Sequence, residues 1–426
     1  MTARPRVLPV VTTGFGIAVV MWTIGYLLRL PGAILPGVVI LLLMLLAVVA
    51  GGAFLRRHAA MGITGAAVAG LVAGAVNLLI LGSFLTDADK ALVPSRLLWV
   101  PGSFLVTAAL AALGAKLVRA REPWSAATWR TCFLAIGVLA TLLVVVAGGF
   151  VTSAEEGLAV PDWPNSFQTN MFLYPIALMN GGIYYEHAHR LAGSLAGLTT
   201  VAIAIAIWRT SMPATERTLR WLALLLVAMV VGQGVMGGLR VTETNLSLAI
   251  VHGIFGQVFL ATMSIAWAMS THAWRQVSSS SRGGVIAWVM LAVVGLQLTT
   301  GALARHLYTE ETPMPWPTHI HLTLAVIVAM LALHVALRSW ARGRGVMLRR
   351  FGMTMFVVIG LQLLLGFVAL AVVIARQGGP NVWEIVVTTL HQVNGALVLL
   401  AATQLALWTH RVGLNAPAPD TEIAPA

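Results

Sequence analysis

In the run EHAHRLAG, residues 186–193, a carboxylate, two imidazoles and a guanidinium fill four of the first five positions, and a long apolar stretch follows. Imidazole inside an apolar span is uncommon and usually faces other helices. Three further stretches repeat the theme: AIVHGIFGQVFLA (249–261), THIHLTLA (318–325) and TTLHQVNGALVLL (388–400). Two residues along a helix turn the side chain by about 200°, so only one histidine of each His-x-His pair faces a given neighbour. One turn on, His189 is followed by Gly193, His252 by Gly256, His391 by Gly395 and His321 by Ala325, whereas His187 meets Leu191 and His319 meets Thr323. A small residue one turn past an imidazole leaves space for a flat macrocycle. This selects His189, His252, His321 and His391 as iron ligands, two per site, in the manner of bis-histidine haem sites within four-helix bundles.

The elements that must carry these ligands are membrane helices. Of 426 residues, 59% are hydrophobic and 9% charged, against about 25% charged in soluble domains. Apolar runs near residues 8–28, 33–55, 61–85, 97–118, 130–151, 187–208, 218–239, 248–270, 285–304, 319–340, 351–374 and 385–409 are long enough to span a bilayer. The fold class is therefore an all-α integral membrane protein of about 12 transmembrane helices. The net charge of +12 reports topology rather than nucleic acid. Arginines such as Arg56, Arg57, Arg209, Arg217, Arg282 and those from Arg338 to Arg350 fall in alternate loops; the acids Asp87, Glu155, Glu156, Asp162, Glu310 and Glu311 fall in the others. Both termini are expected in the cytoplasm, and the four histidines lie towards the external face. Cys132 is the one cysteine, so disulfides within the chain are excluded.

The last eight spans divide into two sets of four. VVGQGVMGGLRV (230–241) resembles VIGLQLLLGFVA (358–369), and the histidine-bearing stretches match in the same order. Four spans per repeat preserve orientation, so the expected relation is a parallel repeat. The expected divisions are residues 1–122, a four-helix extension with Asn77 its main buried polar residue; 123–280, a first four-helix bundle; 281–412, a pseudo-symmetric second bundle; and 413–426, a Pro/Ala-rich disordered tail.

The halves differ. Glu186 and Arg190 have Thr318 and Leu322 in their places. Glu186 shares a helix face with His189 and can pair with Arg190. A plain reading is a helix-start glutamate and a snorkelling arginine. The chemical reading gives Glu186 protons or water to handle beside a reacting haem, with Arg190 holding a propionate or setting the charge of Glu186. His58, His272, His306 and His410 lie at span ends, and His334 is about 20 Å along the helix from His321. His187 and His319 are expected at the surface or supporting the site. The loop SAEEGLAVPDWPNSFQTNMFLYP is long enough to cover the first site, with Trp163 and Phe167 as hydrophobic contacts or interfacial anchors.

Read as Glu-x-x-His-Arg, EHAHR resembles the signature of the haem A synthase family. GLAVPDWP resembles that family's first external loop, and QGVMGGLRV, His252, His391 and the four-plus-four repeat resemble it too, over roughly residues 125–410. The resemblance implies oxidation of the C8 methyl of haem O to the formyl of haem A, with water as oxygen source. It implies a haem b cofactor ligated by His321 and His391, a substrate haem at His189 and His252, and Glu186 as the catalytic carboxylate. It also implies a bacterial inner membrane, with haem O synthase and cytochrome oxidase assembly proteins as partners; a homo-oligomer is compatible with the sequence. Many bacterial members carry external cysteine pairs, which this chain lacks. The arginine often found after the second-half histidine is Leu322 here, leaving Arg305 or Arg376 as propionate donors. The competing readings are a dihaem b-type carrier exchanging electrons with quinone, which has no need of Glu186, and a parallel-repeat transporter.

Overall fold

The computed structural model describes residues 7–59, 61–210, 212, 216–277, 284–309, 311–312, 314–342 and 346–412. The expected tail at 413–426 and the loop residues Arg282, Glu310 and Arg344 lie outside them. Twelve helices among the described residues are long and apolar enough to cross a membrane. Only a helix satisfies its own backbone groups in lipid without a neighbouring strand, and the apolar runs of this chain take that form.

The helices are α1 (Val7–Leu28), α2 (Gly37–His58), α3 (Ile63–Leu81), α4 (Trp99–Lys116), α5 (Ala126–Ser153), α6 (Gly181–Arg209), α7 (Arg217–Thr242), α8 (Leu246–Ser270), the short α9 (His272–Gln276), α10 (Val285–His306), α11 (Trp316–Arg342), α12 (Val346–Ile374) and α13 (Val382–Val412). Twelve spans were expected and the twelve long helices follow them in order. The largest difference in a start is α6, which begins at Gly181 rather than 187. Its first turns carry Tyr184 and Tyr185, both buried against aromatic neighbours, so packing extends the helix beyond its purely apolar part. Glu186 thus lies in the second turn, and the helix-start reading of its position does not hold.

The chain forms two compact units, Met1–His272 with Ala375–Val393, and Ala273–Ile374 with Asn394–Ala426. In the first unit α1 packs on α2, α3, α5 and α6, and the pairs α5–α6, α5–α8, α6–α7 and α7–α8 close a bundle. One core joins Phe15, Trp22 and Tyr26 of α1 to Phe133 and Phe150 of α5 and to Tyr184 and Tyr185 of α6. Asn77, the polar residue expected in this extension, accepts from Trp22 Nε1 at 3.0 Å. The basic connector after α4 is fastened to the end of α2. Arg121 N–H donates to Arg57 O and Trp124 N–H to His58 O, and Trp124 stacks on His58. These bonds satisfy carbonyls that a helix C-terminus leaves open. In the second unit α11 packs on α10 and on α12.

The loop between α5 and α6 is built rather than loose. Strands β1 (Asn165–Ser166) and β2 (Thr169–Asn170) pair antiparallel across Phe167 and Gln168, whose φ angles are 51° and 63°. Two central residues at positive φ make a tight hairpin turn that non-glycine residues adopt reluctantly. The Asp162 carboxylate compensates by accepting from Phe167 N–H at 2.6 Å and Gln168 N–H at 2.7 Å.

A histidine pair under a fastened loop

His189 is the ninth residue of α6 and His252 the seventh of α8. Their ring centroids are 6.3 Å apart and the rings are nearly perpendicular, at 87°. Both keep some accessible surface, whereas His187 is fully buried. His187 is thus not at the surface: its Nδ1 lies 3.0 Å from Ser166 Oγ, and Tyr174 tilts against its ring. The two histidines of the pair do separate, one toward His252 and one into the hairpin.

Glycines on the neighbouring helices let the imidazoles approach. A methyl group on Gly148 of α5 would sit 3.0 Å from His189 Cε1, and one on Gly237 of α7 would sit 3.0 Å from His252 Cε1. In the second unit a methyl on Gly301 of α10 would sit 2.8 Å from His321 Cε1. Each ring lays its Cε1–Nδ1 edge on the glycine. The residue four before each glycine is Val144, Gln233 or Gln297, and its backbone carbonyl lies beside the same ring. For His321 the contact closes to a hydrogen bond, with Nδ1 3.0 Å from Gln297 O. Nδ1 of His189 and of His252 stays short of hydrogen-bond geometry. A carbonyl can only accept, so the Nδ1–H tautomer is selected at His321 and Nε2 keeps its lone pair, the form that ligates metal. Consistently, Gln297 Nε2 lies 3.3 Å from His321 Nε2 and donates to His321 O at 3.0 Å.

The space expected one turn past each histidine is open at Gly193, where a methyl would meet nothing within 4 Å. At Gly256 the Gln233 amide takes it, donating to His252 O at 3.2 Å, and at Gly395 the Gln362 amide stands closest. The α5–α6 pair has Val144 where the others have glutamine, so no amide from that position donates to the His189 carbonyl. His391 is the tenth residue of α13 and is half-buried; His319 is exposed.

Above the pair lies the loop. Glu186 is buried; its Oε2 accepts from Val160 N–H at 2.8 Å and its Oε1 from Arg190 Nη2 at 2.6 Å. Arg190 also donates to Val160 O at 2.7 Å, Asp162 O at 2.6 Å and Asn165 O at 3.1 Å. Its donors thus serve Glu186 and the loop backbone. The Trp163 indole rests on Gly238, where any side chain would strike it, while Phe167 stacks on Tyr174. Arg376, a candidate propionate donor, instead pairs with Glu155 at 2.7 Å and Glu384 at 3.4 Å.

The geometry fits an iron between His189 and His252. Metal–imidazole nitrogen bonds are about 2 Å long, which places two axial ring centroids about 6 Å apart. Among the described residues no three His, Cys, Asp or Glu side chains gather to hold an ion. Two axial imidazoles suit an iron whose other ligands come with it, as in a macrocycle. Sequence reasoning passed over the glycines 148, 237 and 301, the carbonyls beside them, the loop atoms of Val160 and Asp162, and Arg240. The recurrent Gln-x-x-x-Gly at Gln233, Gln297 and Gln362 is the signal that carries part of this.

Residues 131–319 match the family model described as cytochrome oxidase assembly protein, the haem A synthase family. The match covers under half of the chain. It holds Glu186, His189, Arg190, Arg240 and His252, and stops short of His321 and His391. No curated protein matches the chain.

Proposed function

We propose that this match and the paired imidazoles reflect a haem A synthase-like membrane oxidoreductase, whose substrate haem O is held between His189 and His252. The observation that carries the reading is the 6.3 Å imidazole pair beneath a fastened loop, within the matched segment. The reaction converts the C8 methyl and one water to a formyl group, four protons and four electrons. His189 and His252 fix the ring along one axis, so that its edge, not its iron, is what the surroundings must select. Glu186 is the carboxylate that takes protons. A carboxylate has about four acceptor positions; Val160 N–H and Arg190 engage two of them. Arg190 pairs with Glu186 and ties the loop backbone down over it. A haem b ligated by His321 and His391, as the resemblance implies, would supply one-electron transfer.

A dihaem electron carrier is the second reading. It is favoured by the like settings of His252 and His321, each beside a glutamine and a glycine one turn apart on a neighbouring helix. Expression of the full chain with a haem O synthase, in a host lacking haem A, separates the two. Haem A or its hydroxylated precursor in the extracted haems is the expected result. Bound haem b without either product, at good expression, would sink the synthase reading and leave the carrier.

A further inference from the structure

We infer that Arg240 anchors an acidic group of the ligand held between His189 and His252, a carboxylate on the macrocycle edge in the reading above, on which this inference rests. Arg240 lies in the last turn of α7, three residues past Gly237, so it shares the helix face that receives His252. Its guanidinium rests against the backbone of Gly157 in the covering loop. Gly237 receives the His252 ring and Gly238 the Trp163 indole, so Arg240 lies where the covering loop meets the histidine-bearing face of α7.

What sets Arg240 apart is what its donors do. Three other arginines of this unit are engaged by acids: Arg190 by Glu186, with three loop carbonyls besides, Arg376 by Glu155 and Glu384, and Arg130 by Glu216 at 2.6 Å. The Arg240 side chain makes no hydrogen bond or ion pair among the described residues, and the residue is half-buried. A guanidinium carries five N–H donors in a planar fork, and those of Arg240 are not sealed from an incoming group, as Arg130 Nε and Arg220 Nε are. The fork matches a carboxylate bidentately. The Glu186 carboxylate is already engaged by Arg190 and Val160 N–H. An anion brought by the ligand completes the site.

The test titrates the purified full chain with haem b and with its dimethyl ester, which lacks free carboxylates, following the Soret band. Arg240→Gln should weaken binding of the free acid by about tenfold or more and leave the ester unchanged. Arg240→Lys, which keeps the charge but not the fork, should fall between. Equal weakening of acid and ester would show that Arg240 only props the loop, and an unchanged acid affinity would exclude any contact; either overturns the inference. His252→Ala is run beside them. If it binds both haems as the parent does, the haem site itself is misassigned and the function proposed above fails first; if it loses the bis-imidazole spectrum, the Arg240 result stands alone.

Discussion

At the scale of single residues, the site is defined as much by absent side chains as by ligands. Gly237 and Gly148 give His252 and His189 their positions, and a methyl at either would press on a ring at 3.0 Å. Gly237→Ala should therefore displace His252 and weaken haem retention at the first site. Gly253, on α8 beside His252, has nothing within 4 Å. Gly253→Ala should leave the spectrum unchanged and raise stability by about 0.5–1 kcal/mol, since alanine loses less backbone freedom in a helix. Optical spectra and thermal midpoints of the two variants check this; equal behaviour would mean the ring contacts are immaterial. Glu186 has two duties that one substitution can separate. Glu186→Gln keeps an oxygen for Val160 N–H but cannot take a proton, so the variant should hold haem and form no haem A. Arg190→Ala leaves Glu186 buried without its partner, at a cost of about 3–5 kcal/mol, and should loosen the loop as well. If Glu186→Gln gives an undiminished haem A yield, the carboxylate has no part in the chemistry.

At the scale of elements, the loop from α5 to α6 is clasped by another loop, from α3 to α4. Thr86 Oγ1 donates to Leu173 O at 2.7 Å and Lys90 Nζ to Phe167 O at 3.0 Å. Arg96 Nη1, bonded to Thr86 O at 2.6 Å, stiffens the clasp. Each such bond contributes about 1 kcal/mol. The double variant Thr86→Val, Lys90→Ala should then raise hydrogen exchange in residues 160–175 while leaving the centres of α5 and α6 protected. Unchanged exchange there would show that Glu186, His187 and Arg190 hold the loop unaided. The clasp was not legible in the sequence, and the reason is physical. Its bonds join residues 77 and 87 positions apart, through backbone carbonyls that carry no residue signature. The helices were legible because an apolar run of bilayer length has few other solutions. That His189 and His252 face each other was legible from the small residues beside them. The use of those neighbours was not: the Gln233 and Gln362 amides take the space at Gly256 and Gly395 that a macrocycle was expected to need.

At the scale of the whole molecule, the four N-terminal helices are the part least explained by sequence. Asn77, their main polar residue, is satisfied by Trp22. Their role becomes visible through packing. Phe15, Trp22 and Tyr26 of α1 belong to the same core as Phe133, Phe150, Tyr184 and Tyr185, on the two helices that carry Gly148 and His189. Tyr26 stacks on Tyr184 at 5.9 Å and meets Phe150 edge-on at 6.3 Å. Helices in lipid associate through close packing and interhelical hydrogen bonds rather than through exclusion of water, so losing this aromatic seam is not offset by lipid chains of a different shape. A chain lacking residues 1–122 should therefore insert, since α5 to α8 retain their own length and apolarity, but register α6 poorly against α5. Its thermal midpoint in detergent should fall, and the spectrum that depends on His189 and His252 should broaden or vanish. Restoring residues 1–122 as a separate co-expressed polypeptide should recover it if packing is what they supply. A truncated chain with the parent midpoint and spectrum would show instead that α1 to α4 act elsewhere than at this site.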